Sequence, residues 1–119
     1  MGLTDEIVGS GSAADPRFPH APAGWTPALA VDSARSEGLE LGENHWEALR
    51  ALQEYYARRL GTPVNLRELH DALDEKFHRH GGIRQLYLLF PGGPVAQGCR
   101  IAGLKAPAGA TDKGFGSVA

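Results

Sequence analysis

Helix-breaking residues cut the middle of this 119-residue chain into short pieces, and that punctuation limits its fold more than any other feature. Pro27 opens one piece and Gly38 closes it. Gly61 and Pro63 end a second, Gly81-Gly82 a third, Pro91-Gly92-Gly93-Pro94 a fourth and Gly103 a fifth. The longest runs only from Glu43 to Leu60. Each can reach its neighbours only through a short turn, so the pattern predicts a mainly α, small bundle of about five helices.

The helix signals inside those pieces are local and physical. Thr26 stands where an N-cap belongs, with Pro27 at the first helical position, where the missing N–H costs nothing. Leu29, Ala30, Ala34 and Val31 form the inward side of that first helix. Trp46, Leu49, Leu52, Tyr56 and Leu60 recur near helical spacing in the second piece, with Glu54 and Arg58 as a favourable i,i+4 pair. Asn65 caps the third, with Glu68 three residues on, and Leu66, Leu69, Leu73 and Phe77 line one stripe. The run Ile83 to Phe90 is apolar enough for a strand or a helix. No comparable partner strand exists, so it reads as a helix buried nearly all round. A last short helix runs from about Pro94 to Ala102. Residues 1–15 read as a flexible segment, 16–104 as the helical domain, and 105–119 as an extended C-terminal arm or tail.

Charge and cysteine content narrow the function. A single cysteine, Cys99, cannot close an intramolecular disulfide and fits a reducing, cytoplasmic setting. No apolar run approaches the ~20 residues that span a bilayer, so no membrane partner is expected. Residues 1–75 hold six basic against thirteen acidic side chains; residues 76–119 hold six against one. The basic half contains Arg84, Arg100 and Lys105, candidate binding residues for an anionic partner.

Cys99 is the one candidate for covalent chemistry. Arg100 beside it and Lys105 nearby would lower a thiol pKa, and the thiolate is the nucleophile. Against this, free cysteines are more often packed and inert than reactive. His70, His78 and His80 lack the convergence of a metal site, and His78-Arg79-His80 fits a solvated helix end better. No metal or cofactor is expected. The turn Gly61 to Val64 is short enough for a helix-turn-helix, but Glu68, Asp71, Asp74 and Glu75 on its second helix would repel phosphates, so DNA is a minor alternative. Phosphate-binding loops and nucleophile elbows are missing from the sequence. An independent catalytic site is not evident; at most the chain is a carrier of a transferred group.

The segment Leu89-Phe90-Pro91-Gly92-Gly93-Pro94-Val95-Ala96-Gln97-Gly98-Cys99-Arg100-Ile101-Ala102-Gly103-Leu104 resembles the carboxy-terminal signature of the DsrC/TusE/DsvC family of sulfur-relay proteins. Trp25, Glu37-Gly38-Leu39-Glu40-Leu41, His45-Trp46, Tyr55-Tyr56, Asn65-Leu66-Arg67 and Leu86-Tyr87 fall in the family's order, so the resemblance covers roughly residues 16–110. It implies a small helical fold with a short β-hairpin near the start and a C-terminal arm carrying two cysteines. It also implies sulfurtransferase or sulfite-reductase-type partners. In the family the last cysteine carries sulfur as a persulfide, and the other lies eleven residues earlier. Cys99 matches the earlier one, the candidate persulfide acceptor here. Ala110 occupies the carrier position, and nine further residues follow it. One thiol can be persulfidated but cannot form a two-cysteine disulfide or trisulfide. The resemblance therefore implies docking on sulfur-relay partners, with a regulatory or single-thiol role. A partner-binding module with a merely packed Cys99 is the alternative.

Overall fold

The computed structural model describes residues 15–110 and contains, in order, α1 (Pro27–Ser36), α2 (Glu43–Ala57), α3 (Leu66–Lys76), a 3-10 turn (His78–His80), α4 (Gly82–Leu89) and α5 (Ala96–Ala102). This is the five-helix, mainly α architecture expected. Among the described residues there is no strand; residues 15–26 lead into α1 through turns rather than a hairpin. The expected flexible stretch before Asp15 and the tail beyond Ala110 lie outside the described residues. So does any hairpin before Asp15.

Local chemistry sets the boundaries. The Leu29 amide donates to Thr26 Oγ1 at 3.2 Å, and the Glu68 amide to Asn65 Oδ1 at 3.0 Å, so both expected caps are made. Between α3 and α4 the chain reverses through Gly81 and Gly82, both at positive φ. Asp74 Oδ1 of α3 then accepts from the Ile83 amide at 2.8 Å, which places a carboxylate on the amino end of α4. At the start of α2, His45 Nδ1 accepts from the Gly42 amide at 3.0 Å. Its Nε2 therefore carries the proton and donates to the Leu89 carbonyl at 2.8 Å. One imidazole thus joins the start of α2 to the end of α4.

α5 is the centre of the packing. It lies against both α1 and α2, while α3 packs on α4, and α4 also touches α2. Every residue of α5 except Arg100 is buried. Gly98 brings it onto α2: a Cβ there would stand 2.8 Å from Leu52 Cδ1. Ala30 and Ala34, both fully buried, give α1 an equally flat face. Trp25 seals the far end, its indole Nε1 donating to the Ile101 carbonyl at 2.8 Å. Phe18 stacks edge-on against Trp25 and Trp46 with ring centroids 5.0 and 5.6 Å away, and Arg50 lies over its ring.

Three expectations about burial fail, for one reason. Leu29 is 51% exposed, Leu60 85% and Leu88 76%. Helical spacing says which residues share a face, not how many neighbours that face will find. α1 meets α5 through its alanines, leaving Leu29 at the rim. α2 stops at Ala57, shorter than the expected Leu60, so Leu60 falls in the following turn. α4 is covered on one side only, where Gly82 and Leu86 are buried, and is not enclosed all round. α2 and α3, the two helices of the helix-turn-helix alternative, are not among the principal packing pairs.

Gly103 carries two constraints at once: φ is +80°, and a Cβ would stand 2.7 Å from Trp25 Cδ1. Gly24 has a similar φ of +84° with open space around it. Gly24→Ala should cost about 1 kcal/mol of stability. Gly103→Ala should cost about 2–4 kcal/mol, because overpacking adds to the backbone strain. Urea midpoints of the two variants measure the difference; equal losses would remove the Trp25 contact from the account.

Candidate functional site

The Cys99 side chain lies on the face of α5 that meets α2, and Cys99 is wholly buried. Its thiol donates to the hydroxyl of Tyr56, the penultimate residue of α2, with sulfur and oxygen 3.7 Å apart. The Tyr56 hydroxyl in turn donates to the Lys105 carbonyl at 2.6 Å. A short chain of protons therefore runs from the thiol through Tyr56 to the backbone of the segment leaving α5. That segment folds back on the body: Leu104, Ala106 and Ala110 are half-buried against the core. Its end lies over a cleft lined by Leu66, His70, Tyr87 and Val95.

Burial controls the chemistry of the thiol. Loss of solvent pushes the Cys99 pKa up to about 11, only partly opposed by the hydrogen bond to Tyr56. Burial likewise raises the Tyr56 phenol, and a negative Cys99 would push it further. The expected lowering by Arg100 and Lys105 does not occur. The Arg100 guanidinium turns to Glu37 instead, with Nε 2.7 Å from Oε2 and a terminal nitrogen 2.7 Å from Oε1. Lys105 meets the site through its backbone carbonyl, and its side chain is exposed. Arg84 is exposed on α4, and none of the hydrogen bonds around the thiol involves it. Of the four candidate residues, the structure brings Cys99 and Lys105 together through Tyr56. It assigns Arg100 a structural partner and sets Arg84 apart.

The Glu37 carboxylate is the second centre of this region. Its side chain is almost wholly buried and also accepts from Gln97 Nε2 at 2.8 Å. Gln97 Oε1 accepts from the Gly92 amide at 2.8 Å. The carboxylate thus ties the end of α1 to two residues of α5 and, through Gln97, to the turn that precedes it. Sequence reading missed Glu37 and Gln97 because the pairing spans 60 residues and no periodicity links them. Tyr56 carried a signal, as an apolar-stripe residue bearing a hydroxyl, but nothing that paired it with Cys99. Among the described residues no group of three histidine, cysteine or acidic side chains is placed to hold a metal ion.

A family model described as "DsrC like protein" matches residues 13–110. The chain is 44% identical over 84 residues to Sulfurtransferase TusE of Salmonella typhimurium, which is 70% of this chain and 76% of the relative. It is 40% identical over 84 residues, with the same coverage, to Sulfurtransferase TusE of Escherichia coli. No solved structure gives a significant match.

With a pKa of about 11, Cys99 is thiolate in only about one molecule in a thousand at pH 8. The thiolate population rises with pH, so alkylation by iodoacetamide should be slow at neutral pH and climb about tenfold per unit towards pH 11. Tyr56→Phe removes both the link to Lys105 and the hydrogen bond that holds the thiol pKa down, so it should cost about 1 kcal/mol and slow alkylation at neutral pH. Intact-mass time courses measure both effects; a rate that levels off near pH 8 would contradict the sealed thiol. Separately, Glu37→Gln leaves Arg100 facing a neutral amide and should destabilise the fold by about 2–4 kcal/mol, read from urea unfolding.

Proposed function

This chain belongs to the DsrC-like family, and we propose on that premise that it serves a sulfur relay as a docking, regulatory member. It binds sulfurtransferase or sulfite-reductase-type proteins in the cytoplasm without presenting a terminal sulfur carrier of its own. The observation that carries this reading is the state of its one cysteine. The thiol is wholly buried, protonated at neutral pH and hydrogen-bonded to Tyr56. At the position of the family's carrier cysteine stands Ala110, packed against the body. A chain with the family's body but no presented thiol can occupy a partner's surface without passing sulfur onward. In this reading residues 16–104 are the docking domain and 105–119 an arm that has lost its cargo residue.

A second reading keeps Cys99 as a single-thiol acceptor, and the Tyr56–Lys105 hydrogen bond favours it. One bond from the arm holds the side chain that covers the thiol. A partner that lifts the arm would uncover Cys99. Its thiolate would then attack the outer sulfur of a donor persulfide, forming the Cys99 S–S bond and releasing the donor as a thiol. In that reading Lys105 and Arg84 supply positive charge to the partner's surface, whereas Arg100 remains engaged with Glu37.

The native chain, treated with a persulfide donor, should show no mass increase of about 32 Da. Immobilised wild-type and Cys99→Ser chains should retain a purified sulfurtransferase of the relay equally. A stoichiometric adduct that disappears in Cys99→Ser would establish the carrier reading in place of the docking one. Failure to retain either a sulfurtransferase or a sulfite-reductase-type protein would overturn docking itself.

A further inference from the structure

A cavity of about 930 Å³ opens between the 19–22 turn, the end of α2 with its following turn, and the 104–108 arm. That volume suits a small organic molecule. Three features of its walls describe what would fit. Its surface is mainly apolar, with Ala57, Leu60, Val64, Leu104 and Ala106 among the lining residues. Its basic residues are His20, Arg59 and Lys105, and among the described residues no carboxylate lines it. Glu54, a carboxylate within electrostatic reach of His20, is paired with Arg58 at 2.6 Å. Arg59 stacks over the Tyr55 ring at 3.7 Å, an arrangement that leaves the in-plane N–H groups of a guanidinium available.

The third feature is Gln53, a cavity-lining residue that is only 1% exposed. Its Nε2 donates to the Ala102 carbonyl at 3.0 Å, which fixes the orientation of the amide. Its Oε1 is buried with no partner among the described residues. A fixed acceptor without a donor is costly to bury, and it lies just behind a cavity wall from which a ligand's donor could reach it after a small shift of the Gln53 side chain. Neither the packing of α5 nor the sulfur chemistry of Cys99 uses this group.

We propose that this cavity is a binding site for a small anionic amphiphile bearing an N–H or O–H donor. Its apolar body lies between Leu60 and Leu104, its anionic group meets Arg59 and Lys105 at the rim, and its donor serves Gln53 Oε1. The site stands apart from the docking role above, since it requires neither a partner protein nor a reactive thiol.

Three fluorescent probes separate these elements on the full chain. The first, 2-anilinonaphthalene-6-sulfonate, has the body, the anion and a donor remote from the anion. The neutral N-phenyl-2-naphthylamine lacks the anion, and the N-methylated sulfonate lacks the donor. The first probe should bind saturably at one site, raise the melting temperature, and bind about fivefold more tightly than either analogue. Combined Arg59→Gln and Lys105→Gln should weaken the sulfonate about fivefold and leave the neutral probe unchanged. Leu60→Glu changes a residue 85% exposed, so the fold survives while a negative charge enters the wall. It should weaken the sulfonate as well. Non-saturable binding, equal affinity for all three probes, or indifference to both sets of substitutions would each overturn the proposal.

Discussion

A buried carboxylate holds the centre of this protein together. α5 has seven residues, far too few to persist as a helix without tertiary partners. Glu37 binds Arg100 through both carboxylate oxygens and Gln97 through one, and Gln97 reaches back to the Gly92 amide. The charge is matched, and both oxygens of the buried carboxylate have donors, which is the condition under which a buried charge is tolerated. Trp25 and Gln53 then satisfy the carbonyls of Ile101 and Ala102, where the helix ends. The short helix is stable because its surroundings, rather than its own length, complete its hydrogen bonds.

The same enclosure decides the chemistry of Cys99. A thiol becomes a nucleophile when water or cations stabilise its anion. α5 is so tightly surrounded that neither reaches it. Arg100, adjacent in sequence, is drawn off by Glu37, and burial raises the pKa. Tyr56 closes the remaining side and anchors the departing arm through the Lys105 carbonyl. Structural integrity and a closed thiol are therefore consequences of one packing arrangement.

Much of the architecture was legible beforehand. Thr26 and Asn65 act through side-chain caps, and Pro27, Gly81 and Gly103 through their own backbone geometry, so the helix starts and stops they dictate appear where expected. The family signature was readable for a related reason: its residues serve one contiguous unit, the turn and α5. Inward faces were less legible. Leu29, Leu60 and Leu88 fit helical stripes yet remain exposed, because a stripe needs an opposing surface and three of these stripes outrun theirs.

Composition and local pattern thus settled the class of fold, the places where the chain breaks and the presence of one cysteine beside an arginine. Only the folded arrangement decided what those two neighbours do. A Coulomb interaction depends on distance and surrounding medium, and neither is encoded by adjacency in the chain. Glu37 lies 63 residues before Arg100, yet it is the group that the guanidinium meets. Tyr56 lies 43 residues before Cys99, yet it is the group that covers the thiol.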